Sequence, residues 1–159
     1  MSDERFKTLR HVETVRNHLN LCVRELLERG EQHDHSKLQS PEREAFDEFT
    51  EKLRGSTYGS PEYKQFLEDL KFPLAHHYAT NRHHPEHHAN GVQGMTLIDV
   101  IEMVCDWRSS SMRHTDGDIF KSLPINQKRF GYSDDLAQII ENTVRWIASQ
   151  EVYHRADES

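Results

Sequence analysis

Residues 96–107 read TLIDVIEMVCDW. Thr96 is a natural helix cap, and the residues after it are apolar nearly all round, which predicts a central, buried helix. Three acids interrupt the run. Asp99, Glu102 and Asp106 stand three and four apart, so they share one stripe of that helix. A carboxylate in a core is costly unless it is paired, hydrogen-bonded or bound to a metal. Asp99 lies three residues after Thr96 and can complete a capping box, or add a ligand. Glu102 can pair with an arginine. Asp106 lies deepest and is the strongest metal-ligand candidate of the three.

Working outward, the same three-and-four spacing recurs. Leu9, Val12, Val15, Leu19, Val23 and Leu26 predict a helix over 5–29, with Gly30 as its stop. Ser40-Pro41-Glu42 and Ser60-Pro61-Glu62 are helix starts, each with a cap, a proline in the first turn and an acid at the positive end. Ala45, Phe46, Phe49 and Leu53 follow the first, and Tyr63, Phe66, Leu67 and Leu70 the second. Pro73 kinks or restarts that second helix. Residues 80–95 look irregular, and 114–132 read mostly as loop with a short helical piece near Ile119 to Leu123. Ser133 caps a last helix carrying Leu136, Ile139, Ile140, Val144 and Ile147. No period-two pattern marks a strand. The expectation is an all-α fold: a single compact bundle of about six or seven helices, one domain over 1–159 with an ordered core of about 5–150.

Composition narrows the class. The 159 residues suffice for one core without disulfide staples, and 30% charged residues predict wide solvated helix faces. A formal charge of −7 with no Lys/Arg run argues against bulk nucleic-acid binding. Cys22 and Cys105 fall in apolar segments and read as two buried thiols of a reducing compartment. The start, MSDERFK, lacks a signal-peptide pattern, and no stretch approaches the roughly 18–20 apolar residues of a membrane helix. A soluble, cytoplasmic protein is expected, with self-association left open.

The outlier is histidine. Six of the twelve fall between His76 and His88, in HHYATNRHHPEHH, and two more flank Asp34 in QHDHSKL. His33 and Asp34 can reach one ion where the backbone changes direction after the first helix. Imidazole with carboxylate suits Fe, Mn, Zn, Ni or Co better than Ca or Mg. His76 and His77 end a helix with an apolar face. His83 and His84 offer a second metal's ligands, a lid or substrate contacts, and His87 and His88 read as solvated. His11 lies on a stripe with Val15, His18 and Cys22, and becomes a candidate because the other ligands need a partner.

The order His11, His33-Asp34, His76-His77, Asp106 resembles the HD-domain superfamily of metal-dependent phosphohydrolases. HDHSKL resembles that family's HD-x-x-K stretch, VCDWRSSSMR the segment around its last Asp, and HHYATNRHHPEHH the paired-His motif of its HD-GYP branch. The Gly-Tyr-Pro signature of that branch is absent. Most of the chain is also similar to small bacterial and phage HD-like proteins sharing the HD-x-SK and HHPEH strings. The resemblance implies that His11, His33, Asp34, His76, His77 and Asp106 hold one or two divalent transition-metal ions. His18 competes with His11 for the first place, and His18, His83, His84 and Asp99 are additional candidates. By the same resemblance, Asp34 and Lys37 are catalytic and the substrate is a small phosphorylated molecule, a nucleotide or phosphoester. Arg82, Arg113, Lys121 and Arg129 are candidates to hold its phosphate, with Arg108 beside them. Two rivals keep the cluster but change its use: an HD-type di-iron oxygenase such as myo-inositol oxygenase, and a binding module without catalysis.

Overall fold

Wherever the three-and-four apolar spacing falls on described residues, the chain is helical. The computed structural model describes residues 3–55, 65, 68, 70–112 and 117–157. The Ser60-Pro61-Glu62 start and the stripe from Tyr63 to Leu67 lie outside them. Among the described residues there are six α-helices and no strand: α1 (Asp3–Gln32), α2 (Glu42–Gly55), α3 (Lys71–Thr80), α4 (Leu97–Ser111), α5 (Ile119–Phe130) and α6 (Asp134–Asp157). Short 3₁₀ turns at His35–Leu38, Pro85–His87 and Gly91–Gly94 join them.

α4 is the hub: one face packs into a core with α5 and α6, and another meets the end of α1. Met103 and Val104 are buried with Val92, Ile119, Leu123, Tyr132, Ile140 and Val144, so α4, α5 and α6 share one core. Thr96 starts it with a full capping box: its hydroxyl accepts the Asp99 N–H while Asp99 accepts the Thr96 N–H. The helix is not buried all round, however. Leu97, Ile101 and Cys105 form a solvent-facing row at four-residue steps. Both cysteines are free and exposed, which corrects the buried-thiol expectation.

Two boundaries differ from the sequence reading. α1 runs through Gly30, where the helix tolerates any residue: a Cβ there would meet nothing within 4 Å. The helix ends instead at Asp34, whose φ of 55° lies in the left-handed region. Asp is one of the few non-glycine residues that adopt this conformation readily. In place of a loop, residues 119–130 form α5. Asp118 caps it through the Phe120 N–H, and its apolar positions Ile119 and Leu123 feed the core. Pro124 lies inside this helix on the exposed side. Gly131, at φ 65°, then closes it in the left-handed turn that glycine adopts at least cost.

No helix among the described residues is long and apolar enough to cross a membrane.

Candidate metal centre

Four segments converge beside α4. The left-handed turn at Asp34 reverses the chain after α1, so His33 and Asp34 face one point. α3 contributes His77 from its last turn, the irregular stretch after it His83 and His84, and α4 Glu102 and Asp106. Donor atoms of Asp34, His77, His83 and His84 lie within 4.8 Å of one another, and so do those of His33, Asp34 and Asp106. Asp34 belongs to both groups. Its Oδ1 is 3.4 Å from His77 Nε2 and 3.5 Å from His83 Nε2, and its Oδ2 is 3.7 Å from His33 Nε2. Asp106 Oδ1 is 3.7 Å from the same His33 nitrogen. His84 Nε2 approaches His77 Nε2 to 2.9 Å.

Two glutamates, Glu42 buried and Glu102 partly so, aim these rings. Glu102 Oε1 lies 3.0 Å from His33 Nδ1 and 3.1 Å from His83 Nδ1. Burial works against its charge, but the bonds from His33, His83 and Arg29 hold the carboxyl well below its usual range. An ionised carboxylate only accepts hydrogen bonds, so both Nδ1 atoms carry protons. The third close group, His33 with His83 and Glu102, is therefore a hydrogen-bond junction. Glu42 does the same from α2. It is fully buried and accepts from His77 Nδ1 at 2.9 Å, His76 Nδ1 at 2.7 Å and the Ser36 hydroxyl at 2.9 Å. In the neutral rings of His77 and His83 the nitrogens turned toward Asp34 are thereby left as acceptors. Such carboxylate–histidine pairs fix the tautomer of metal-ligating imidazoles.

This arrangement leaves a specific deficit. Asp34 Oδ1 and His83 Nε2 are buried without a hydrogen-bond partner. Both are acceptors, and they face each other. A proton on His83 Nε2 or a cation between the two atoms would make the arrangement favourable, and nitrogen and oxygen donors together suit a transition-metal cation. The residues present therefore fit a metal ion. Protonation follows the same logic. The Asp106 and Glu102 carboxylates push His33 up to about 10, so without metal an imidazolium neutralises part of the acidic cluster. Burial lowers His77 despite Glu42, and it pushes His84 down to about 3, so these two rings stay neutral and able to coordinate. At Asp34 and Asp106 burial opposes ionisation, yet Lys37 and His33 respectively keep them below their ordinary values.

The family of unknown function DUF5662 matches residues 1–146. The chain belongs to that family. No curated protein and no solved structure matches it significantly.

The DUF5662 fold separates the sequence candidates. It brings together His33, Asp34, His77, His83, His84 and Asp106. It leaves out His11 and His18, which are exposed on α1, because only the last two turns of that helix meet the body. His76 is also outside: adjacent residues on a helix point about 100° apart, and its half-exposed ring goes to Glu42. Asp99 is committed to its cap, to Arg29 at 2.6 Å and to the Arg82 guanidinium through two bonds of 3.1 Å. Lys37 Nζ is 2.6 Å from Asp34 Oδ2 and lies over the Phe46 ring. The proposed phosphate contacts are dispersed. Arg82 serves Asp99, Arg129 pairs with Glu86, Arg108 with Glu151, and Lys121 is exposed near Asp118. Arg113 lies outside the described residues.

Glu42 and Glu102 were not in the expected site. Glu102 had a legible signal, since it shares the helical stripe of Asp106. Its Arg29 contact, 3.2 Å, uses only one of its oxygens. Glu42 had none, because its first-turn position reads as an ordinary acid at a helix start.

Proposed function

We propose that this DUF5662 member is a metal-dependent phosphohydrolase of the HD-domain type, acting on a small phosphorylated substrate. The observation that carries the reading is the facing pair of buried acceptors, Asp34 Oδ1 and His83 Nε2, inside a cluster of histidines and acids. Asp34, His77, His83 and His84 would hold one ion, and His33, Asp34 and Asp106 a second, with Asp34 shared. Fe, Mn, Zn, Ni and Co suit these donors. When bound, such an ion supplies an acidified water and polarises a phosphoryl oxygen.

The protein's own groups support that chemistry in definite ways. Glu102 and Glu42 fix the imidazoles in the tautomer that presents Nε2. Asp34 would serve both as ligand and to orient the water that the ion acidifies, while its Oδ2 stays with Lys37. The Lys37 ammonium is the described cation nearest the donor groups by its contacts, and it is placed to neutralise charge on a phosphate. A cleft of about 390 Å³ opens beside His33 and Asp106, with Leu26, Ile101 and Cys105 on its walls. It offers room for a substrate body with an apolar face.

The test is elemental analysis of the purified protein, followed by phosphate release from nucleotides and phosphomonoesters with Mn, Co, Ni or Zn added. Phosphate release that falls at least tenfold in Lys37→Met, with metal content retained, is expected. Two irons per chain with oxygen consumption and no phosphate release would replace this reading with an oxygenase. Absence of any metal response in melting temperature would reduce it to a binding module.

A further inference from the structure

α1 poses a packing problem that the metal centre does not solve. Residues 3–25 are exposed throughout, and over that length the helix makes hydrogen bonds and ion pairs only within itself among the described residues. About 35 Å of helix thus stands alone among the described residues. Helices in proteins owe most of their stability to a packed apolar face rather than to intrinsic propensity. α1 has such a face, and it is uncovered. Leu9 is 54% exposed, Val12 56%, Val15 42%, Leu19 60% and Val23 52%.

That face is continuous with an existing interface. The steps from Val12 through Val15, Leu19, Val23, Leu26 and Gly30 to His33 are three or four residues throughout, so they form one stripe. Its last part, from Leu26 onward, packs against α4 and lines the cleft with Ile101 and Cys105. The rest of the stripe has the same character but no neighbour among the described residues. α4 adds exposed Leu97 and Ile101 at the end of the bare segment, 74% and 38% accessible.

We infer that the occupant is a second copy of this chain, packed with its α1 antiparallel to the first about a twofold axis. A stripe that pairs with itself over Leu9–Val23 is centred on its own midpoint, near Arg16. Leu9 then opposes the partner's Val23. The first turns of each α1, with Phe6, reach the partner's α4 beside Leu97 and Ile101. The area is adequate. At about 100 Å² for each half-exposed side chain, Phe6, the five stripe residues and Leu97 present roughly 700 Å² per chain, so pairing buries about 1,400 Å², within the range of specific interfaces. The same patch exceeds what a typical monomer exposes, roughly 300–600 Å². A parallel pair would leave Leu97 and Ile101 uncovered, since both bodies would lie at one end.

Light scattering on the full-length protein at micromolar concentration should give about twice 18.7 kDa. Val15→Glu with Leu19→Glu should give the single mass with unchanged metal content, since neither residue touches the metal centre. Cysteine placement reads the orientation in a Cys22→Ser, Cys105→Ser background. Arg16→Cys, near the axis, should form a disulfide between copies. Leu9→Cys, on the stripe itself, should not, because seven residues from the axis on each side separate the two thiols by about 21 Å. A wild-type mass of one chain overturns the inference, as does a double mass retained by the charged variant. Cross-linking through residue 9 also overturns it. Should the charged variant fail to fold, the two cysteine variants decide alone.

Discussion

Asp34→Asn isolates the role of the shared carboxylate. Asp34 holds φ at 55°, and alanine there would add roughly 1–2 kcal/mol of backbone strain that blurs any metal effect. Asparagine keeps the shape and tolerates the left-handed region. It removes the charge that both donor groups use. In the metal-free wild type, Asp34 Oδ1 and His83 Nε2 are buried acceptors with no donor, and each such group costs about 1–3 kcal/mol. An asparagine N–H can point at the His83 lone pair across the 3.5 Å gap. The opposing costs are the Lys37 ion pair, whose lysine is partly exposed and which is therefore worth about 0–1 kcal/mol, and the attraction of the His33 imidazolium 3.7 Å away. The metal-free variant should thus lie within about 2 kcal/mol of wild type. Metal separates the two. At a free concentration of about 100 Kd, wild type gains about 2.7 kcal/mol. At roughly 2–4 °C per kcal/mol for a chain of this size, that is about 5–11 °C. The variant should gain less than about 2 °C. The assay is a melting series on chelator-treated protein with Mn, Co, Ni or Zn titrated in, read beside elemental content. Equal metal-induced shifts in both proteins would refute the shared-ligand reasoning. A metal-free variant more than about 3 kcal/mol below wild type would refute the account of the facing acceptors.

The remaining expectations concern the groups around the donors. Glu42→Gln puts an amide donor against three groups that already donate, so metal affinity measured by chelator competition should fall about 10–100-fold. Asp99→Asn should leave metal content unchanged, since Asp99 serves its cap and two arginines, but lower stability in denaturant titration by about 3–5 kcal/mol. Lost metal in that variant would return Asp99 to the ligand list. Asp99 also sets an acid limit. Burial opposes its charge, but its cap and the two arginines hold the folded carboxyl far below the unfolded value of 3.8. The stability it contributes is therefore fully present above pH 4 and lost as pH falls toward the folded value, so wild type should lose more stability than Asp99→Asn between pH 4 and 2. Parallel declines of the two proteins would count against it.

Local pattern was enough for the helices. Three-and-four apolar spacing, Ser-Pro-Glu starts and the Thr96 cap are short-range signals, and they place α1, α2, α4 and α6 to within a few residues. The end of α1 depended on a conformation at Asp34 that no neighbouring residue announces, and α5 on core contacts of Ile119 and Leu123 that outweigh an internal proline. Within the candidate centre, the sequence singled out histidine and aspartate as unusual, and His33, Asp34, His77 and Asp106 do meet. It had no means of telling His77 from His76, or His33 from His11. Adjacent helical residues differ by about 100° in direction, and an apolar stripe does not disclose which of its turns finds a neighbour. Glu42 and Glu102 made the same point from the other side. A carboxylate's protonation, and the ring nitrogen it leaves free, are set by which side chains the fold brings within about 3 Å. Residue types and periodicity fixed the helices and the stock of donors; the crossing of α1, α3 and α4 selected which donors share one point.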